Sequence, residues 1–269
     1  MPTFNSFNNQ NNESNNQVVY DFSDKQSKGL FLTKVFGMMF ICLLITTLVA
    51  AGLGFPFQYL LTKTMVVEGE VASYDQNLFT GFLVMLVASA IGLLVMSFVL
   101  PMMFAKGKHN IIVPLMIYVV LMGVLLSTLV IFLDWVILAE AFGITCLIFG
   151  VMALLGYVSK GKLTGIGFIL LALLVGAGAL SLVNWLMILI GGMIQPQNIM
   201  LSWIVSLMIF AFLMFVTLYD VYRIKKIAEN GAQQDNNLIY YCAYILYSDF
   251  IAILVRVAYY LALFNGKRK

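Results

Sequence analysis

Four ionisable side chains stand inside long apolar stretches of this sequence: Glu140, Asp220, Asp249 and Arg256. A charge at bilayer depth costs several kcal/mol unless it is paired or hydrated, so each marks a place where the chain has a use for it. Asp249 is the sharpest of the four. It stands ten residues into an apolar run that opens at Ile239, which at ~1.5 Å per helical residue is ~15 Å from the entry and near mid-bilayer. Asp has the shortest charged side chain and cannot snorkel that far. Its carboxyl must therefore be protonated, paired, or turned toward a water-filled cavity between helices. Two readings follow: a group that responds to protons or cations, or a neutral Asp hydrogen-bonded to a neighbouring helix.

Asp220 closes the preceding apolar run, with Arg223 three residues later on the same helix face and able to satisfy it locally. Chain order gives it more weight. The last two segments are consecutive and antiparallel, so Asp220 approaches Asp249 if the helices tilt or if the earlier one continues past Tyr222. Two carboxylates sharing one site titrate as a coupled pair, and their oxygens suit a hard cation such as calcium. Arg256 follows Asp249 on the same face but ~10.5 Å along the axis, which directs it to the outer interface or to another helix. Glu140, about five residues into its run, reads as a vestibule or interface group. Arg223, Arg256 and Glu140 are thus supporting candidates around an Asp220–Asp249 pair. His109, the only histidine, falls in the turn Lys106-Gly107-Lys108-His109-Asn110 and reads as a solvated loop residue.

Composition sets the elements that must hold these groups. Of 269 residues, 62% are hydrophobic and only 10% are charged, against roughly 45–50% apolar and about 25% charged in soluble domains. A water-soluble globule of this length cannot hide so much apolar surface, so the solvent is lipid. The net charge of +3, with its basic residues scattered, excludes a nucleic-acid binder. Cys42, Cys146 and Cys242 are far apart, each in an apolar run, and read as small buried hydrophobes rather than bridges or ligands. The polar Asn-rich start, with no positive charge before Lys25, is not a signal peptide; residues 1–33 read as a disordered cytoplasmic tail.

Seven apolar runs are long enough to cross a ~30 Å hydrocarbon core: residues 35–61, 78–104, 111–132, 135–158, 164–191, 199–222 and 239–264. They do not alternate polar with apolar as barrel strands would, so they predict helices. Pro56 near the end of the first predicts a kink or an early exit. Gly165, Gly167, Gly176 and Gly178 make the fifth a small-residue helix suited to close packing. The expectation is an all-α polytopic protein, a seven-helix transmembrane domain over residues 34–265 followed by a basic tail at 266–269. Basic residues alternate between connections, and with the N-terminus in the cytoplasm only Lys63 among those loops falls outside. Lys267, Arg268 and Lys269 fall outside as well if the last run spans fully, and inside if it re-enters; its length favours the full span.

The stretch Leu218-Tyr219-Asp220, a basic connection, and then Leu246-Tyr247-Ser248-Asp249-Phe250-Ile251 resembles the paired motif that ends the Bax inhibitor-like (transmembrane Bax-inhibitor-motif) family. Ala-Phe-Gly-Ile-Thr-Cys-Leu-Ile-Phe over 141–149, then Tyr157 and Ser-Lys-Gly-Lys-Leu-Thr over 159–164, is similar to that family's fourth span and following turn, and the resemblance extends over about 34–264. It implies a seven-helix bundle with the last helix near the centre and, in bacterial members, a pH-sensitive calcium leak. It further implies that Asp220 and Asp249 are sensor aspartates whose mutual hydrogen bond closes the cytoplasmic end.

The acidic pair and the resemblance together predict a calcium-permeable, pH-responsive leak in a bacterial inner membrane, not an enzyme, with no cofactor beyond the calcium that passes. The alternatives are a non-transporting regulator that binds a membrane protease or stress-pathway partner, and a proton-coupled exporter. An intramembrane aspartyl protease would carry Gly-x-Gly-Asp at its second aspartate, where this chain has Leu246-Tyr247-Ser248-Asp249. A regulator tolerates Asp249→Asn if it still folds; a leak does not.

Overall fold

The structure, a computed structural model, describes residues 25–64, 76–107, 110–159, 199–229 and 236–266. Among them the protein is helical, with no strand: α1 (Lys25–Thr64), α2 (Gln76–Ala105), α3 (Ile112–Phe132), α4 (Trp135–Val158), α5 (Ile199–Glu229) and α6 (Asn236–Gly266). Each of these six is long and apolar enough to cross a membrane. The fifth predicted segment, residues 164–191, lies outside the described residues, as do residues 1–24, His109 and the cluster at 267–269. The protein is thus an all-helical, multi-pass membrane protein with six spans described.

Boundaries shift where charge interrupts hydropathy without interrupting the helix. α1 starts at Lys25, inside the stretch whose composition reads as tail, and runs through Pro56 to Thr64 rather than stopping there. α5 continues nearly two turns past Tyr222 to Glu229. Val221, Ile224 and Ala228 are all buried in that extension; their spacing of three and four keeps one apolar stripe running while Arg223, Lys225 and Lys226 occupy other positions. α2 ends by Gly107, whose φ of 63° turns the chain and whose N–H bonds the Phe104 carbonyl at 3.0 Å.

The last helix sits at the centre of the described bundle and contacts each of the other five. Ala243, Leu246, Tyr247, Ile253 and Ala258 along it are fully buried. α6 is one unbroken helix of 31 residues, ~46 Å at ~1.5 Å per residue, which exceeds a ~30 Å core without any re-entrant bend. Around it, apolar side chains such as Leu48, Phe98, Leu147 and Leu154 are exposed, as they must be where lipid replaces water.

α1 and α3 pack most closely. A Cβ on Gly123 would stand 2.7 Å from the Val49 Cβ and 3.0 Å from the Thr46 carbonyl, so only a glycine admits this approach. Small residues at such crossings substitute for the hydrophobic drive that lipid removes, because tails are as apolar as the helices themselves.

Candidate functional site

Hydroxyl groups inside the spans show how this bundle handles polarity. Thr47, Ser127, Thr145, Thr217 and Ser248 each donate to a carbonyl three or four residues earlier, at 2.6–2.9 Å. Such bonds cost nothing in interhelical geometry. Thr46 instead reaches across to Tyr247 Oη at 2.6 Å and to the Val119 carbonyl at 3.3 Å, tying α1, α3 and α6 together. Tyr118 packs edge-on against Tyr244 beside it, with ring centroids 5.1 Å apart.

Asp249 breaks this economy. It is 8% exposed, and its Oδ2 is a buried side-chain oxygen with no hydrogen-bond partner among the described residues. An unmade bond to a buried polar group costs about 1–3 kcal/mol, and more for a charged one. Across the α5–α6 interface Asp220 lines one cavity with Ile245, one helical turn before Asp249, and is the charged group that acts on Asp249. The two predicted aspartates are therefore brought together, because α5 and α6 are antiparallel neighbours and α5 keeps its apolar stripe past Tyr222. The hydrogen bond between them that the resemblance implies is not formed in this structure.

A small cavity of about 50 Å³ opens at the Asp220 end of the pair, lined by Asp220, Arg223, Ile224 and Ile227 of α5, Leu238, Tyr241, Cys242 and Ile245 of α6, and Phe104 of α2. That volume exceeds the ~10–15 Å³ that one water needs, and the site is polar on one wall. Asp249 follows Ile245 by four residues, so it sits one helical turn beyond the cavity on the same face of α6. Phe104 stacks on Tyr241 at 4.2 Å and closes the side toward α2.

The supporting candidates separate. Arg223 lines the same cavity and its charge acts on Asp220, yet it forms no ion pair with it; among the described residues Lys225 and Glu229 form the ion pair at this end, at 3.8 Å. Arg256 turns away from Asp249 and donates to Ser206 Oγ on α5 at 3.4 Å, and Ser206 in turn shares a 2.9 Å bond with Tyr260. Glu140 is exposed near the start of α4, ~25 Å along that helix from Tyr157, the α4 residue beside Lys225 at the other end. It is not part of this site. Cys42 and Cys242 are buried and free, as their apolar runs predict, whereas Cys146 is exposed.

Two features escape a reading by hydropathy. Thr46, buried among apolar residues, carries no signal until Tyr247 is known to face it. Lys225 looks like an ordinary loop charge, yet it belongs to α5 and donates to the Tyr157 and Ser159 carbonyls at the end of α4, at 2.6 and 3.2 Å. The continuing 3–4 spacing of Val221, Ile224 and Ala228 is the sequence sign that it is helical.

The family model described as "Inhibitor of apoptosis-promoting Bax1" matches residues 29–266, which takes in all of this geometry. Inner membrane protein YbhL of Escherichia coli (strain K12) is 30% identical over 246 residues, covering 88% of this chain and 92% of that protein. The protein of the same name from E. coli O6:H1 (strain CFT073) matches to the same extent. A match over nearly the whole length, across a range that contains both aspartates, places the chain in the Bax inhibitor family.

Proposed function

We propose that this protein is a pH-responsive, calcium-permeable leak of a bacterial inner membrane, gated by Asp220 and Asp249. The observation that carries the reading is the buried, unpartnered Asp249 oxygen beside a second carboxylate. A purely structural aspartate would end in a hydrogen bond to a neighbouring helix. A gate instead needs a group whose bonding changes with state. The bilayer of a bacterial inner membrane agrees with the relatives' printed names, and the basic residues of alternate connections orient the N-terminus to the cytoplasm.

The sign of the pH response follows from electrostatics. With one proton between them, two carboxylates share a hydrogen bond and draw α5 to α6. With none, two negative charges repel and invite a cation. Raising pH therefore favours the open, cation-accepting state. Two carboxylates offer at most four oxygens where calcium takes six to eight, so the ion is cargo in transit that keeps part of its water, and no cofactor or catalytic group enters the mechanism.

Purified protein reconstituted into liposomes holding a calcium indicator tests this. Calcium entry well above that of protein-free liposomes, and lost in Asp249→Asn, is expected. An Asp249→Asn protein that folds and conducts like the parent would overturn the aspartate gate, and a parent that does not conduct would support the regulator reading instead.

A further inference from the structure

We infer that Lys225 is the positioning residue of the aspartate pair: by clasping the end of α4 it fixes the rotation of α5, and so the approach of Asp220 to Asp249. The inference rests on the leak reading above. At this end of the bundle α5 is held from two sides. Asp220, Ile224 and Ile227 face α6 across the small cavity. Lys225 comes five residues after Asp220, ~140° around the helix, and reaches α4.

Its ammonium has three donors and uses two of them on the neighbouring element. It bonds the Tyr157 carbonyl at 2.6 Å and the Ser159 carbonyl at 3.2 Å, lies 5.4 Å from the centre of the Tyr157 ring, and is 3.8 Å from Glu229 Oε1. The last carbonyls of a helix have no intrahelical partner and carry the negative end of its dipole, so a cation is the ligand they favour. α4 ends without a basic residue of its own in its last turn. The lysine that serves it comes from α5.

Just before the clasp along α4, Gly156 lets the two backbones meet. A Cβ there would stand 2.6 Å from the Leu218 carbonyl and 3.1 Å from the Val221 Cβ. A close backbone contact and a charged clasp at successive levels of one interface resist rotation of α5 about its axis. That is the motion that would carry Asp220 away from Asp249. The charged and titratable groups around Asp220 are Arg223 on its own helix and Tyr241, Cys242 and Asp249 on α6; those around Lys225 are Tyr157 on α4 and Glu229 on α5. Lys225 holds the sensor and is not itself the sensor.

Calcium entry into liposomes, measured from pH 6 to pH 8, distinguishes the clasp from the gate. Lys225→Met keeps the apolar stem and removes the donors. Loss of a charge-assisted bond shifts a two-state equilibrium by about tenfold, so entry at pH 6 is expected to rise about tenfold toward the parent's value at pH 8, flattening the profile. Lys225→Arg, which retains a cation and donors for both carbonyls, is expected to restore the parent profile, and Lys225→Gln to lie between. If Lys225→Met fails to fold, the Gln variant carries the comparison. A parent-like profile in Lys225→Met or Lys225→Gln, alongside an altered one in Asp220→Asn, overturns the clasp and leaves the leak standing. A parent-like profile in Asp220→Asn as well overturns the gate itself.

Discussion

Asp249 and Thr46 are both buried polar residues near the middle of a span, and the bundle treats them oppositely. Thr46 is bonded on two sides, so Tyr247→Phe is expected to cost about 0.6–1.7 kcal/mol, the range for interhelical hydrogen bonds in membranes, read as a lower midpoint of unfolding in detergent. Asp249 keeps an oxygen without a partner. Asp249→Leu, which keeps the branching at Cγ and is free of that burden, is therefore expected to raise stability by about 1 kcal/mol or more while abolishing conduction. A destabilised Asp249→Leu would mean that the carboxyl is a structural strut. This contrast is only half legible in the sequence. The position of Asp249 in an apolar run marks a candidate carboxylate, but whether it is bonded depends on α5, which no local pattern specifies.

At the scale of elements, helix identity was readable and helix ends were not. Apolar runs located each described span because lipid demands ~20 apolar residues of a helix. They misplaced the ends of α1 and α5, because a helix leaving the membrane keeps its hydrogen bonds while its composition turns polar. That error matters at α5, since the extension past Tyr222 carries Lys225 and puts Asp220 well inside the helix rather than at its frayed end. The approach of α1 to α3 was equally hidden, as Gly123 looks no different in sequence from Gly143. The structure separates them: Gly143 has open space where a Cβ would go, while Gly123 meets Val49. Gly123→Val is expected to lower stability by about 1–3 kcal/mol through overpacking and Gly143→Ala to leave it within about 1 kcal/mol, a comparison that chemical unfolding of the two variants makes directly.

For the whole molecule, the arrangement among the described residues is a central helix ringed by others, with a buried carboxyl oxygen on it that has no hydrogen-bond partner there. Composition supplied the solvent, and the alternation of basic connections predicts a direction. If residues 164–191 cross as their composition predicts, the two termini lie on opposite sides of the membrane, and reporters fused at each end are expected to report cytoplasm at the N-terminus and the outer side at the C-terminus; both on one side would mean that residues 164–191 or α6 do not cross. The central claim is that one pair of carboxylates sets the conductance. Its most direct test is the pH profile of calcium entry into liposomes for the parent, Asp220→Asn and Asp249→Asn. The account predicts entry that rises from pH 6 to pH 8 in the parent and a profile that is flat in both variants, because removing either charge removes the repulsion that opens the pair. A rising profile that persists unchanged in both variants would contradict it.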